Sequence, residues 1–467
     1  MLHSEKDPIL AIATPSGSGG IGIIRLSFPS ELETAVFEAL FPDGFTPKPR
    51  YAHLHSFYGF QGEKLDDLIV LFFKGPRSYT GESVIELQAH GGPVLMKMIQ
   101  KACLDRCKSL GFRLAEPGEF TKRAYLNGRM DLAQAEAVAD VIGAMSESAL
   151  QAAQRSLSGV FSEKVRSVDE QLKELRAYVE ATLDFPEEEV DHLNRGHIFE
   201  KLDQAYEQLV DILQNAQSGK VLREGVMVAI VGSPNVGKSS LLNALAGEEV
   251  AIVTDIAGTT RDKIEHWIAI DGVPLCVVDT AGIRETDDTV EKKGIERAMA
   301  EVEKAEVVLY LKDASGHISD DAETLERILK KTRSNVSIVT VLNKIDACNH
   351  VQALIDAERQ VNSSAKVLGV SVKTGDGLDA LRSTLLEAVG MQTQSDGLFM
   401  ARERHLKALE TALGHVAQAI AFGENVTNID LLAEELRLAS ESLVEILGEF
   451  VADDLLGMIF SRFCIGK

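Results

Sequence analysis

The sequence predicts a multidomain protein that combines α/β and all-α domains, and three observations support this fold class. Residues 1–122 mix short apolar runs with glycine and proline turns, which is typical of an α+β domain. Residues 221–385 alternate apolar strands with helical stretches, as an α/β domain with a parallel sheet does. The remaining segments, 123–220 and 386–467, carry apolar residues at spacings of three and four, which indicates helices.

The two helical segments are expected to form one domain. A helix that is polar on one face must bury its other face against something. One such apolar stripe comprises Val165, Val168, Leu172, Leu175 and Val179. The economical arrangement packs the two segments together and inserts residues 221–385 between them.

Composition limits the partners and the compartment. The chain has 467 residues and a net charge of −23, from 48 basic and 71 acidic residues. Bulk charge therefore repels nucleic acid and anionic membranes, so any RNA contact needs a local basic patch or a partner. The five cysteines are scattered, no apolar run approaches membrane-spanning length, and the N-terminus has no signal-like pattern. We expect a cytoplasmic protein with no membrane partner.

The most informative motif is a phosphate loop, Gly232-Ser233-Pro234-Asn235-Val236-Gly237-Lys238-Ser239. An apolar strand pattern precedes it, and a helical pattern begins at Ser240. The glycines let backbone N–H groups converge on an anion. Lys238 supplies a point charge for the β- and γ-phosphates, and the Ser239 hydroxyl can hold Mg²⁺. This motif predicts nucleotide binding.

Three further motifs restrict the nucleotide to GTP. Asp279-Thr280-Ala281-Gly282 offers a carboxylate for the Mg²⁺ shell and an N–H for a γ-phosphate. In Asn343-Lys344-Ile345-Asp346, the last carboxylate can accept hydrogen bonds from N1–H and N2–H₂ of guanine, donors that adenine lacks. Ser371-Val372-Lys373 follows another apolar run and is placed to support the base. The order of these motifs predicts a GTP-binding domain.

The sequence identifies the residues that catalyse hydrolysis less clearly than those that bind GTP. Many small GTPases place a water-orienting glutamine where this chain has Ile283, which cannot hydrogen-bond to water. In the switch region Thr260 is the expected second Mg²⁺ ligand. The whole segment that should contact GTP there is Thr254, Asp255, Ile256, Ala257, Gly258, Thr259 and Thr260.

Two alternatives stay open for this switch region. It either forms a simple polar loop or supplies oxygens for a monovalent cation that stabilises transition-state charge. The ligands of that cation would be Asn235, Thr254, Ile256 and Thr259. The water-orienting carboxylate also stays open among four acidic residues, Glu285, Asp287, Asp288 and Glu291.

Motifs along essentially the whole chain resemble the MnmE (TrmE) family, the GTPases of tRNA wobble-uridine modification. They are Thr14–Arg25, Tyr79-Thr80-Gly81-Glu82, His90-Gly91-Gly92, Pro117–Ala124 and Cys464-Ile465-Gly466-Lys467. The resemblance implies a folate-binding and dimerising domain over residues 1–122. It also implies a helical domain, 123–220 with 386–467, into which a Ras-like GTPase domain, 221–385, is inserted.

The resemblance also implies an activity and partners. The chain would form a homodimer and act with the flavoprotein MnmG (GidA) in a heterotetramer. Together they would attach an aminomethyl-type group at carbon 5 of the wobble uridine in tRNA. The one-carbon unit would come from a tetrahydrofolate derivative, in a 5-formyl or methylene form. GTP hydrolysis would depend on K⁺ and on G domains that meet across the dimer.

Site residues follow from the same resemblance, motif by motif. The K⁺ ligands become Asn235, Thr254, Ile256 and Thr259, and the water-orienting carboxylate becomes Glu291. Folate binding is assigned to Arg25, Glu86, Arg129 and Lys467, although residue chemistry alone favours an ordinary surface charge for each of them. Cys464 becomes a candidate catalytic thiol, although nothing in the sequence indicates a lowered thiol pKa.

Two other functions remain possible from the sequence. One is a pure GTPase switch, such as a ribosome-assembly factor, which the GTPase motifs alone cannot distinguish. The other is a folate-dependent methyltransferase acting alone, which is weaker because nothing in the sequence binds a flavin.

Overall fold

The chain divides into two units, and each is described by itself. The first unit contains residues 1–139 and 440–467, and the second contains residues 140–439. The computed structural model describes residues 6–59, 61–184, 195–233, 235–247, 265–279, 302–315, 336–361, 366–391, 397–423, 429–449, 453–461, 463 and 466.

A six-stranded sheet with the order β3-β4-β5-β2-β1-β6 organises the first unit. Its strands are β1 Ile9–Ile12, β2 Gly19–Phe28, β3 His53–Tyr58, β4 Lys64–Phe73, β5 Ser83–Gly91 and β6 Arg113–Leu114. Only β1 and β6 pair in parallel; the other neighbours are antiparallel. Helices α1 Glu33–Leu40 and α2 Pro93–Arg106 cover its apolar face, which confirms the predicted α+β character.

A short helix, α3 Glu119–Leu126, follows the sheet. Gly118 precedes it with φ +67°, and a Cβ there would lie 2.7 Å from the carbonyl oxygen of Phe460. Only glycine tolerates both the left-handed backbone and this close approach. The residue thereby brings the C-terminal segment of the first unit against α3.

Four long helices come next: α4 Leu132–Gly143, α5 Glu147–Ser158, α6 Val160–Asp184 and α7 Arg195–Glu224. The Ser146 side chain caps α5 by accepting a hydrogen bond from the Ala149 N–H at 3.1 Å, and left-handed Gly159 ends that helix. The predicted stripe on α6 is confirmed, since all five of its apolar residues are buried.

A second six-stranded sheet has the order β12-β11-β10-β7-β9-β8. Its strands are β7 Val226–Gly232, β8 Glu265–Ile270, β9 Val273–Asp279, β10 Val307–Asp313, β11 Ser337–Asn343 and β12 Lys366–Gly369. All neighbours are parallel except β8 and β9. The described helices of this region are α8 Lys238–Ala246, α9 Val351–Val361 and α10 Leu378–Ala388. Parallel pairing brings the carboxyl ends of β7, β9, β10 and β11 to one edge.

The helical pattern then returns, as the spacing predicts, in α11 Glu403–Gly423, α12 Ile429–Leu447 and α13 Asp453–Phe460. Helix α11 lies against α7 within the second unit. In the first unit, Leu456 and Phe460 of α13 pack against Leu132. The predicted combination of α+β, α/β and helical parts is therefore confirmed. Within the described segments, no helix is both long and apolar enough to cross a bilayer.

Candidate functional site

The phosphate loop lies between the end of β7 and the start of α8. Its chain turns through left-handed conformations at Asn235, with φ +64°, and Gly237, with φ +99°. A Cβ at Gly237 would lie 2.4 Å from the Asn343 amide nitrogen, so the position requires glycine. A loop that ends at a helix N-terminus presents backbone N–H groups to an anion.

Lys238 folds its side chain over this loop. Its Nζ donates hydrogen bonds to the carbonyl oxygens of Gly232 at 2.8 Å and Ser233 at 3.2 Å. Ser239 and Ser240 are exposed in the first turn of α8, whereas Val236 is buried. The ammonium and the exposed hydroxyls therefore lie beside the loop, as a phosphate site requires.

Asn343 ties the guanine motif to the phosphate loop. It is 2% exposed at the end of β11, and its Nδ2 donates to the carbonyl oxygen of Val236 at 2.8 Å. The backbone N–H of Val372 donates to its Oδ1 at 3.4 Å. The amide thus joins three segments of the site, of which Val236 lies 107 residues and Val372 29 residues from Asn343 in the sequence.

Lys344 makes a second connection to the loop. It adopts a left-handed conformation with φ +65°, and its Nζ donates to the Asn235 carbonyl oxygen at 3.0 Å and to Asp313 Oδ2 at 2.5 Å. Burial alone would raise the pKa of Asp313, but hydrogen bonds from Lys344 and Ser315 outweigh it and lower that pKa. Sequence reasoning missed Asp313, whose only signal is an acidic residue at the end of an apolar strand.

Asp346 is held in a fixed orientation by its neighbour. The Ser371 hydroxyl, itself fully buried, donates to Asp346 Oδ1 at 2.8 Å. Lys373 is exposed, and its Nζ lies 4.0 Å from the other carboxylate oxygen. An oriented carboxylate is the group that the guanine edge needs.

Several predicted residues cannot be placed in this site. The backbone of Asp279 ends β9 opposite Ile230, which brings it beside the phosphate-loop strand. The remaining predicted GTP, metal and water-orienting residues lie outside the described residues: Thr254, Asp255, Ile256, Ala257, Gly258, Thr259, Thr260, Thr280, Ala281, Gly282, Glu285, Asp287, Asp288 and Glu291. Their roles stay predictions.

A second constellation lies in the first unit, where Arg25 and Glu86 oppose each other on β2 and β5. Arg25 Nε donates to Glu86 Oε1 at 2.9 Å, and its Nη2 lies 2.8 Å from the same oxygen. Arg25 Nη1 also donates to the Gly466 carbonyl oxygen at 3.1 Å. Both side chains are mostly buried, so this ion pair is shielded from solvent.

Aromatic rings border the Arg25–Glu86 pair. The guanidinium carbon of Arg25 lies 5.8 Å from the ring centroids of both Tyr79 and Phe120. Burial raises the pKa of Tyr79, whose hydroxyl hydrogen-bonds to Thr121 Oγ1 at 2.8 Å. The result is a small polar site with an apolar rim, a combination suited to a planar heterocycle.

The other predicted folate residues are not joined to this pair. Arg129 is exposed after α3, and within the described chain no hydrogen bond or ion pair connects its side chain to Arg25 or Glu86. Lys467 and the candidate thiol Cys464 lie outside the described residues.

A buried ionic network beside this site was also missed. Arg123 donates from Nη1 to Glu82 Oε2 at 3.0 Å and from Nη2 to Glu119 Oε1 at 2.9 Å. Arg113 Nη2 adds a further bond to Glu119 Oε1 at 2.7 Å. Burial alone would raise the pKa of Glu119, but hydrogen bonds from Arg113, the Glu116 N–H and Arg123 lower it.

Two of the described cysteines, Cys103 and Cys107, have the character of structural residues. Cys103 and Cys107 are buried at the end of α2, and burial raises both thiol pKa values, that of Cys107 to about 12. Among the described side chains, no group of three or more His, Cys, Asp or Glu could hold a metal ion.

A phosphate loop, a fixed Asp346 and their connecting residues at the edge of a mainly parallel sheet define a phosphate-loop GTPase. The chain matches two family models, the MnmE helical domain over residues 132–464 and the N-terminus of the GTP-binding protein TrmE over residues 8–129. Curated tRNA modification GTPases MnmE from Burkholderia ambifaria and Burkholderia orbicola are each 50% identical to it, over 100% of both chains. The same enzyme from Burkholderia thailandensis is 49% identical over the same coverage. The chain therefore belongs to the MnmE family of tRNA modification GTPases, as the sequence motifs predict.

Solved structures with partial likeness include a variant of Era from Aquifex aeolicus, 30% identical with a TM-score of 0.30, over 41% of this chain and 66% of that one. The G domain of the FeoB iron transporter from T. maritima is 28% identical with a TM-score of 0.27, over 35% of this chain and 98% of that one.

Proposed function

We propose that this chain hydrolyses GTP and that it acts in the modification of tRNA, as the names of its full-length relatives describe. The observation that carries the proposal is the junction of the guanine motif and the phosphate loop. Asn343 donates a hydrogen bond to Val236 and Lys344 donates one to Asn235, which supports one arrangement that would hold both ends of a nucleotide. Such preorganisation is what a GTP site needs for affinity and specificity.

In this proposal each described residue has one task. Lys238 neutralises phosphate charge, and Asp346, oriented by Ser371, accepts hydrogen bonds from guanine. Ser239, with Thr260 from the switch region, would hold Mg²⁺, which supplies charge stabilisation for phosphoryl transfer. The exposed hydroxyl of Ser239 next to the loop fits that use.

We further propose that hydrolysis depends on K⁺ and on two G domains that meet in a homodimer. Asn235, Thr254, Ile256 and Thr259 would surround the cation, and Glu291 would orient water in place of the glutamine that Ile283 replaces. Asn235 supports this because it is exposed and its left-handed backbone is fixed by Lys344. Equal hydrolysis rates in Na⁺ and K⁺ would contradict the cation site.

The Arg25–Glu86 constellation is proposed to bind a tetrahydrofolate derivative, together with Arg129 and Lys467. A carboxylate that an arginine orients can accept two hydrogen bonds from a pterin amino-pyrimidine edge, and the Tyr79 and Phe120 rings offer an apolar wall. The bound folate would supply the one-carbon unit, a flavoprotein of the MnmG type would be the partner, and Cys464 is a candidate thiol. The proposed domains are 1–122 for folate, 123–220 with 386–467 for the helices, and 221–385 for GTP.

The decisive experiment uses Lys238→Ala. Loss of the ammonium should abolish GTP binding, while binding of a 5-formyl tetrahydrofolate probe should be unchanged because it involves the first unit. In cells, replacement of the wild-type chain by this variant should remove the modified wobble base from tRNA. Retained GTP affinity, measured by titration calorimetry, would contradict the phosphate loop, and an unchanged wobble base would contradict the role in tRNA modification.

A further inference from the structure

An exposed basic surface lies on the first unit. It comes from two segments, residues 44–55 and 72–79, and neither contains an aspartate or a glutamate, although the chain as a whole has a net charge of −23. The segments lie side by side because the Arg50 N–H donates to the Phe72 carbonyl oxygen at 2.8 Å. The exposed residues of this basic surface are Lys48, Arg50, Tyr51, Lys74 and Arg77.

The backbone of Arg50 adopts an unfavourable left-handed conformation. Its φ of +61° lies in the left-handed region, which is unfavourable for a residue with a side chain. Glycine or asparagine would adopt this backbone more easily, but the chain has an arginine here. Its Nη2 donates to the Arg77 carbonyl oxygen at 2.7 Å, and its guanidinium lies 5.9 Å from the Phe73 ring. These contacts fix a planar guanidinium at the surface, with further N–H donors available for a phosphate group.

Lys48 and Tyr51 extend the same surface. The Lys48 ammonium lies 5.3 Å from the Tyr51 ring centroid, and Tyr51 is 59% exposed. Cations that alternate with an exposed aromatic ring are the combination that binds a nucleic-acid backbone and stacks a base.

The two carboxylates that form ion pairs with these segments do not cancel their positive charge. The Glu33 carboxylate lies 3.9 Å from the Lys74 ammonium, and Asp43 is engaged with His55 at 3.0 Å. Four cations, Lys48, Arg50, Lys74 and Arg77, thus lie beside two paired carboxylates, in a chain whose net charge is −23.

We propose that this basic surface binds the phosphate backbone of RNA, and specifically of the tRNA that the proposed function requires. An acidic chain repels a polyanion over most of its surface, so a local cluster of this kind decides where RNA makes contact. The cations would contact phosphates and Tyr51 would stack on a base face, so these residues set affinity and orientation and do not read base edges.

The test measures tRNA binding by the full-length protein as a function of salt. The double variant Lys48→Gln/Arg77→Gln removes two cations, and Lys97→Gln/Lys101→Gln removes two exposed cations from α2 as a matched control. The plot of log K against log salt should become shallower by about 2 for the first variant, roughly one per lost phosphate contact. The control should keep the wild-type slope, and Lys48→Arg/Arg77→Lys, which preserves charge, should keep it also.

An unchanged slope in the first variant, or an equal loss in the control, would overturn the basic surface as the RNA site. The same holds if the variant loses affinity for anionic lipid vesicles while tRNA binding is retained. GTP hydrolysis without tRNA should be the same in all proteins. Failure of the proposed function would look different: cells that lack the chain would keep their modified wobble base, whatever the binding slopes.

Discussion

Among individual residues, Asp346 carries the specificity of the proposed GTP site. One oxygen is fixed by Ser371, so the carboxylate cannot rotate away to suit a different base. A site built to accept hydrogen bonds rejects ligands without the matching donors, because a half-buried carboxylate is then left unpaired.

The substitution Asp346→Asn should lower GTP affinity at least about a hundredfold, since two charge-assisted hydrogen bonds contribute about 1.5–3 kcal/mol each. The same variant should gain affinity for xanthosine triphosphate, whose carbonyl oxygen on carbon 2 can accept a hydrogen bond from the new amide. Asp379→Asn is a suitable control, because that side chain is 96% exposed on α10. Affinities from nucleotide titration test this, and a variant that still prefers GTP would contradict the assigned base contact.

Glu119 links the stability of the first unit to pH. Its pKa in the folded protein is below the ordinary value of 4.5 because Arg113, the Glu116 N–H and Arg123 stabilise the charged form. A carboxyl group with a depressed folded pKa adds stability above its unfolded pKa and loses it as the pH falls through the folded pKa.

We therefore expect acid to lower the free energy of unfolding at pH values below 4.5, and part of this effect to belong to Glu119. Glu119→Gln should be less stable than wild type at neutral pH and should lose less further stability in acid. Glu38→Gln, an exposed change on α1, should follow the wild-type curve. Urea unfolding followed by circular dichroism provides the data, and parallel curves for all three proteins would refute the assignment.

At the level of elements, the hairpin of β8 and β9 rests on the start of α5. The Ser146 hydroxyl, which caps α5, also donates to the Gly272 carbonyl oxygen. Gly272 has φ +79°, and a Cβ there would lie 2.0 Å from Ser148 Oγ. In the chain, the hairpin lies between the predicted switch region and the Asp279-Thr280-Ala281-Gly282 motif.

Gly272→Ala should separate the hairpin from α5 as well as strain its backbone. Gly390→Ala is the matched control, since Gly390 has φ +73° but nothing lies within 4 Å of an added Cβ. The left-handed backbone should lower the free energy of unfolding of each variant by about 1–2 kcal/mol. Only Gly272→Ala should lose further stability, because its added Cβ also meets Ser148. The single tryptophan, Trp267 on β8, reports the change by fluorescence. Equal losses of stability and identical spectra in the two variants would show that the contact has no effect.

Local chemistry explains which elements the sequence could predict. The phosphate loop, the apolar stripe on α6 and the glycine and proline turns of residues 1–122 depend on neighbours in sequence. Their patterns are therefore visible in the sequence itself. Contacts such as Lys344 with Asp313, or Arg123 with Glu82 and Glu119, join distant segments and leave no periodic signal. The sequence motifs therefore indicate where the candidate sites lie. Only the fold shows which side chains connect the segments of each site.

At the scale of the molecule, one carboxylate holds both ends of the inserted sheet region. Asp140 on α4 accepts from Arg223 Nε and from Arg402 Nη2, each at 2.9 Å. Arg223 lies in the last turn of α7, directly before β7, and Arg402 directly precedes α11. The chain therefore enters and leaves residues 226–391 beside a single buried acceptor, which suits a domain inserted within the helices.

Asp140→Asn should weaken this junction without touching either proposed site. The substitution removes the negative charge that the two guanidinium groups share, and disrupting a buried ion pair costs up to about 3–5 kcal/mol. Asp211→Asn removes an exposed partner of Lys164 and should cost less than about 1 kcal/mol. If the junction transmits the GTPase cycle to the helices, Asp140→Asn should also retain GTP hydrolysis while the yield of modified wobble uridine falls. Denaturant unfolding measures the first effect, and nucleoside analysis of tRNA measures the second. If Asp140→Asn were as stable and as active in tRNA modification as Asp211→Asn, Asp140 would be dispensable.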